Sequence, residues 1–264
     1  MDMKFNDKLN AAMSRVSGSG DALMNLFGLP KDGQYDMAVL SPMWKPEDVL
    51  ASQPVETIFQ RETNTMATYL LRYGEKQILW LHIGPCAGNV MDACLGLACT
   101  SCDKILFLGL CSAMKDDLTA GDLVVPNKAI SGTGATRYLQ EELGGDDTFG
   151  KERRTPPKGI LWLSKAAIKA EAKLNTRTVF STDSILGALL HQPEVEAIGA
   201  DVVDMEATAF TRCMSLMERT GTALLVVSGK LGEDRLSTPT PEAEAALTHT
   251  VEETLGSIVI NLAK

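Results

Sequence analysis

KILFLGLCSAMKDDLTAGDLVVPNKAI, residues 104–130, holds two apolar runs, KILFLGL (104–110) and DLVVPNKAI (122–130), around a turn rich in small and charged residues. Runs that are apolar at successive positions, rather than at every second one, are expected of strands covered on both faces. The same kind of run recurs outward from there at DMAVLS (36–41), TYLLRY (68–73), QILWLHIG (77–84), RTVFSTD (177–183) and ALLVVSG (223–229). Helical patterning separates them at 88–101, 163–174, 205–220 and 241–264. Pro241 and Glu242 open the last helix well, since proline is tolerated in a first turn and an acid there suits the helix dipole. The alternation predicts an α/β chain on a three-layer αβα plan. Residues 1–34 read as an amphipathic helical extension ending in the breaker-rich GLPKDGQ (28–34), docked on a single domain spanning 35–264. The stretch 131–160, with its Gly, Asp and Pro content, reads as an irregular surface loop.

Composition narrows the function classes. The chain has 264 residues, 45% hydrophobic and 22% charged, enough to bury a sizeable core. Its 25 Lys+Arg against 34 Asp+Glu leave a net charge of −9, the wrong sign for neutralising phosphate backbones, so nucleic acid and anionic membrane are not expected partners. The longest apolar runs fall far short of the ~18–20 residues of a membrane span. The N-terminus shows no secretory signal, and six cysteines set mostly in apolar stretches suit a reducing cytoplasm. Cys99 and Cys102 form a lone C-x-x-C and the three histidines are scattered, so neither a metal nor another cofactor is expected.

Three segments could carry chemistry. Gly84 and Ala87 flank a strand-to-helix turn whose small residues let backbone amides approach a ligand. Gly109, Cys111 and Ser112 form a second turn after a strand. VVDMEATAF (202–210) puts Asp204 and Glu206 at the start of a helix, which by itself is more commonly dipole matching than catalysis.

Taken in order, these segments resemble the nucleoside phosphorylase and nucleosidase superfamily over residues 35–264. VVDMEATAF is similar to its E-M-E-A segment, FSTDSIL (180–186) to its F-S-x-D-x-F-Y segment, AISGTGATRYL (129–139) to its A-I-x-x-x-G-T-S-x-Y-Y segment, and 109–122 to its phosphate-turn strand pair. The resemblance implies a mixed central sheet, a homo-oligomer, and cleavage of an N-glycosidic bond in a nucleoside-like small molecule. It implies that Glu206 and Met205 grip the ribose, with Asp204 in the place of the first acid. Gly84, Ala87, Gly109, Cys111 and Ser112 would border the nucleophile, and Ser181, Asp183, Ile185, Ser228 and Gly229 would line the base.

Departures from the family pattern bear on the reaction. The places of the phosphate-binding Arg and Ser/Thr read Phe107 and Leu110, and the place of the acid that protonates a purine reads Gly229. The base-stacking Phe is replaced by Ile185. SPMWKPED (41–48) occupies the place of the anion-binding or water-activating loop, which makes Lys45 a candidate for an anion such as phosphate and Glu47 a candidate catalytic acid. Arg61 is similar in place to an arginine that reaches a neighbouring subunit's phosphate, and Asp234 follows Gly229 closely enough to replace the missing acid. Phosphorolysis, hydrolysis and a catalytically degenerate nucleoside-binding protein all stay open at this level.

Overall fold

A computed structural model describes residues 5–16, 22–30, 33–140, 147–233 and 239–264. In chain order it has helices α1 (Phe5–Val16) and α2 (Ala22–Phe27), strand β1 (Met37–Ser41), α3 (Pro46–Leu50), strands β2 (Glu56–Glu62), β3 (Met66–Tyr73) and β4 (Lys76–Ile83), and α4 (Ala87–Ala98). Next come β5 (Lys104–Ala113), β6 (Leu123–Gly132), β7 (Glu152–Arg154), α5 (Pro157–Lys169), β8 (Leu174–Thr182), α6 (Ile185–Leu190) and α7 (Gln192–Ala197). The chain closes with β9 (Val202–Asp204), α8 (Ala207–Met217), β10 (Thr220–Lys230), α9 (Pro241–His249), a π-helical turn (Thr250–Leu255) and α10 (Gly256–Ala263).

The sheet is mixed. β1 runs parallel to β4 and β5, β5 runs parallel to β10, and β6 runs parallel to β8. β3 pairs antiparallel with both β2 and β4. The order β10-β6-β8-β9-β5-β1-β4-β3-β2 carries an extra β10–β5 pairing, so β5, β10, β6, β8 and β9 close on themselves while β1, β4, β3 and β2 continue as an open wing. Apolar side chains alternate between two layers, as the period of 2 requires. One layer sets Leu79, Leu81, Phe107 and Cys111 against α4 and α8. The other sets Ile78, Trp80, Leu106 and Leu108 against α3, α5 and the C-terminal helices. The three-layer α/β plan with a mixed sheet therefore describes the chain, with the addition that half of the sheet curls closed.

Several elements differ from the sequence reading. The helix expected at 163–174 starts at Pro157, because a proline at the first helical position loses no hydrogen bond and has a fitting φ. The stretch 131–160 is not wholly irregular: a 3-10 turn covers Ala135–Leu139 and β7 pairs with β6. In the N-terminal segment, α2 buries Leu23 and Phe27, and Thr68 Oγ donates to the Phe27 carbonyl at 2.6 Å.

Candidate active site

The β8–β9–β5–β10 pairings set the site in one band. Ser181 lies opposite Asp204, Val203 opposite Ser112, and Ser112 opposite Gly229. Asp204 is the last residue of β9 and is 1% exposed. Its Oδ1 accepts from Ser181 Oγ at 2.6 Å, and its Oδ2 accepts the amides of Ala207 at 2.6 Å and Glu206 at 3.2 Å, closing the first turn of α8. Burial, then the neighbouring Glu206 carboxylate, push Asp204 up to about 7 against the opposing pull of these three hydrogen bonds. Ser181 is fully buried and also accepts the Thr208 amide at 2.9 Å, so its hydroxyl sits behind the wall and holds Asp204.

Glu206 caps α8 and is 5% exposed. Its Oε1 accepts the Cys86 amide at 2.8 Å, 120 residues away in sequence, and its Oε2 accepts the Met205 amide at 3.2 Å. The donor comes from the Gly84–Ala87 turn at the start of α4, where Cys86 has φ 99°, a conformation that L-residues rarely adopt. The expected sugar acid and the expected small-residue turn are thus in direct contact, and partly buried Met205 lies beside them.

On β5, the Phe107 ring is fully buried and lies 5.6 Å from the Phe210 ring of α8. A Cβ at Gly109 would come within 2.9 Å of Phe107, so the glycine is where the ring packs across its own strand. Leu110 packs into the opposite layer and Cys111 is buried. Residues 109–112, expected as a turn after a strand, instead lie within β5 and pair with β10, because their backbone groups complete that ladder; Ser228 Oγ donates to the Cys111 carbonyl at 3.1 Å, tying the two strands further. A bulge between Val227 and Gly229 leaves Gly229 at φ 154°.

The remaining candidates are more dispersed. Asp183 is exposed and accepts the Gly134 amide at 2.8 Å, which clamps the segment after β6 to the end of β8. Ile185 opens α6 and packs with Phe180 and Leu231 on the far side of β8 from Ser181. Lys45, partly buried, precedes α3, and its amide donates to Asp48 at 2.8 Å. Glu47 is exposed, as is Arg61 on the edge strand β2. Asp234 lies outside the described residues.

A residue that sequence reasoning passed over stands at the carboxyl end of β4. His82 pairs with Ser41 and Ala67 across the sheet and lines a cleft of about 310 Å³ with Pro42, Glu62, Thr63, Gly84 and Pro85. Burial, then the Lys45 charge, hold its imidazole below the usual histidine range, partly offset by Asp48 and Glu47. One isolated histidine carries no spacing signal, although it stands only two residues before Gly84.

The family model of the phosphorylase superfamily matches residues 36–264, nearly the whole chain. The chain belongs to the phosphorylase superfamily. Among curated proteins no relative matches it. Solved structures with this superfamily fold include futalosine hydrolase of Helicobacter pylori, with TM-score 0.66 and 14% identity over 86% of this chain and 96% of that one. The methylthioadenosine/S-adenosylhomocysteine nucleosidase of Campylobacter jejuni superposes with TM-score 0.68 and 17% identity over 87% and 98%. Purine nucleoside phosphorylase from Toxoplasma gondii, in complex with immucillin-H, reaches 0.72 and 18% over 93% and 96%. At these identities the likeness to the solved structures concerns the fold.

Proposed function

We propose that this phosphorylase-superfamily protein cleaves the N-glycosidic bond of a nucleoside or related ribosyl compound, with water rather than phosphate as the acceptor. The observation that carries the reading is Glu206: a buried carboxylate at a helix start, locked across the molecule by the Cys86 amide. Such a group grips vicinal ribose hydroxyls with charge-assisted hydrogen bonds while the sugar develops positive charge. Met205 would pack under the sugar, and Gly84, Ala87 and residues 109–112 at the end of β5 would border the attacking group. Hydrolysis is favoured because Phe107 is fully buried and Leu110 packs against the core, so neither puts a charged donor at the end of β5. The missing acid at Gly229 favours a second reading, a binding protein that keeps the sugar site without turnover. A homo-oligomer, with the exposed Arg61 facing a second copy, belongs to the proposal.

The test is calorimetry of the parent and Glu206→Gln with ribosyl and 2′,3′-dideoxy forms of one nucleoside. Each hydrogen bond to a charged group is worth roughly 1.5–3 kcal/mol, so ribosyl affinity is expected to fall at least about tenfold, ~1.4 kcal/mol. The dideoxy form should bind both proteins alike. Equal ribosyl affinity in the variant would reduce Glu206 to a helix-dipole partner.

A further inference from the structure

Two buried acids and a chain of hydroxyls meet at the start of α8. Asp204 and Glu206 stand one residue apart, and the Glu206 amide donates to Asp204 Oδ2 at 3.2 Å. Two carboxylates so close and so far from water oppose each other, and one proton shared between them relieves that. Glu206 is the poorer home for the proton, since its two oxygens each accept an amide, from Cys86 and from Met205, and such bonds favour the charged form. On Asp204 the two amides fall on Oδ2, whereas Oδ1 faces a hydroxyl, Ser181 Oγ at 2.6 Å. Ser181 Oγ in turn lies 2.7 Å from Thr208 Oγ1, and Thr208 Oγ1 lies 3.1 Å from the Ile130 carbonyl on β6. Resting on the reading of Glu206 as the ribose acceptor, we propose that Thr208, acting through Ser181, is a positioning residue that keeps the shared proton on Asp204, so that Glu206 meets the ribose hydroxyls as a carboxylate.

The hydroxyl chain can serve either state of Asp204 because hydroxyl hydrogens rotate. With Asp204 ionised, Thr208 donates to Ser181 and Ser181 donates to Asp204 Oδ1. With Asp204 protonated the chain reverses: Oδ1–H donates to Ser181 Oγ, Ser181 turns its hydrogen to Thr208 Oγ1, and Thr208 turns its own to the Ile130 carbonyl. Ser181 accepts the Thr208 amide at 2.9 Å in both states, so its two lone pairs are used in each. Without the Thr208 hydroxyl the ionised form keeps its donor to Asp204, whereas in the protonated form the buried Ser181 hydrogen loses its acceptor. The hydroxyl therefore supports the protonated form in particular. Among the described residues the charged group acting on Asp204 is Glu206, whose effect adds to burial in pushing Asp204 up to about 7. β5 sets Ser112 and Ala113 against β9, and α6 adds the apolar Ile185 and Leu189. Of the nearby acids, Asp183 is held by the Gly134 amide and Asp201 by the Thr178 amide.

The experiment is calorimetry at about pH 6 and about pH 8 with ribosyl and 2′,3′-dideoxy forms of one nucleoside, on the parent, Glu206→Gln, Thr208→Val, Thr208→Ala and Thr208→Ser. At pH 6, where the pair holds its proton, Thr208→Val and Thr208→Ala should lose at least about fivefold in ribosyl affinity, approaching the roughly tenfold loss of Glu206→Gln, because a protonated Glu206 gives up the same charge. At pH 8, where both acids are ionised, that loss should shrink to within about twofold. Thr208→Ser keeps the hydroxyl and should follow the parent at both pH values, and the dideoxy form should bind all five proteins alike. A loss of equal size at pH 6 and pH 8 would make Thr208 a packing residue and overturn the inference. Parent-like ribosyl affinity at pH 6 in whichever of Thr208→Val and Thr208→Ala folds, with Glu206→Gln still weakened, would overturn it too and leave the reading of Glu206 standing. Equal ribosyl affinity in the parent and Glu206→Gln would overturn that reading and the inference with it.

Discussion

Asp204 and Glu206 are two carboxyl groups one residue apart, both nearly removed from solvent, and they answer that cost differently. Glu206 takes amides from both sides of the site, whereas Asp204 is fixed by Ser181 and by the first turn of α8. The folded pKa of Asp204 lies above its unfolded value near 3.8. Between about pH 4 and 7 the folded protein therefore holds a proton that the unfolded chain has released, and stability linked to it is full below pH 4 and lost by about pH 7. The urea midpoint of Asp204→Asn relative to the parent is thus expected to improve as pH rises through that window. Parallel profiles of the two proteins from pH 4 to 8 would contradict the protonation of Asp204. The acids themselves were legible at residue scale as a pair at a helix start. That Ser181 belongs to Asp204 was not, because it depends on the β8–β9 register between residues 23 apart.

At the scale of elements, what sequence showed was whatever buries two faces. β1, β4, β5 and β10 read as apolar runs because helices cover both sides of them. β2, with sequence ETIFQRE and an exposed edge, has no apolar face to betray it, and β9 is too short for any period. The end of β10 also bears on the chemistry. Placing an aspartate at 229 to restore the family acid would force an L-residue to φ near 154°, behind a bulge, where only glycine sits without strain. Gly229→Asp is expected to cost about 1–3 kcal/mol in urea unfolding and to bring no gain in base release. An unchanged midpoint with faster release would show that the strand end relaxes and that the acid had simply been lost. The packing of Phe107 on Phe210 makes the same point for β5: the aromatic ring is built into the core rather than laid on its surface.

Across the described residues, five strands close into a ring and four extend as a wing, β7 adding to β6, with the candidate site where the turn before α4 meets the start of α8. Motif order along the chain made the superfamily visible; the closure of the ring was hidden, since β5 pairs with β10 more than a hundred residues later. Among the described residues no helix is long and apolar enough to cross a membrane. The superfamily architecture serves both phosphate and water as acceptors, so the acceptor must be argued from the site. Here Phe107 is fully buried and Leu110 packs against the core, so neither leaves a charged donor at the end of β5. The most direct measurement follows free base released by the pure protein from a panel of nucleosides, with and without added phosphate. Release at the same rate in both, with free ribose or its 5′-substituted form as the second product, is the predicted result. Release that requires phosphate and yields a ribose 1-phosphate would contradict the account, as would saturable binding with no release from any member of the panel.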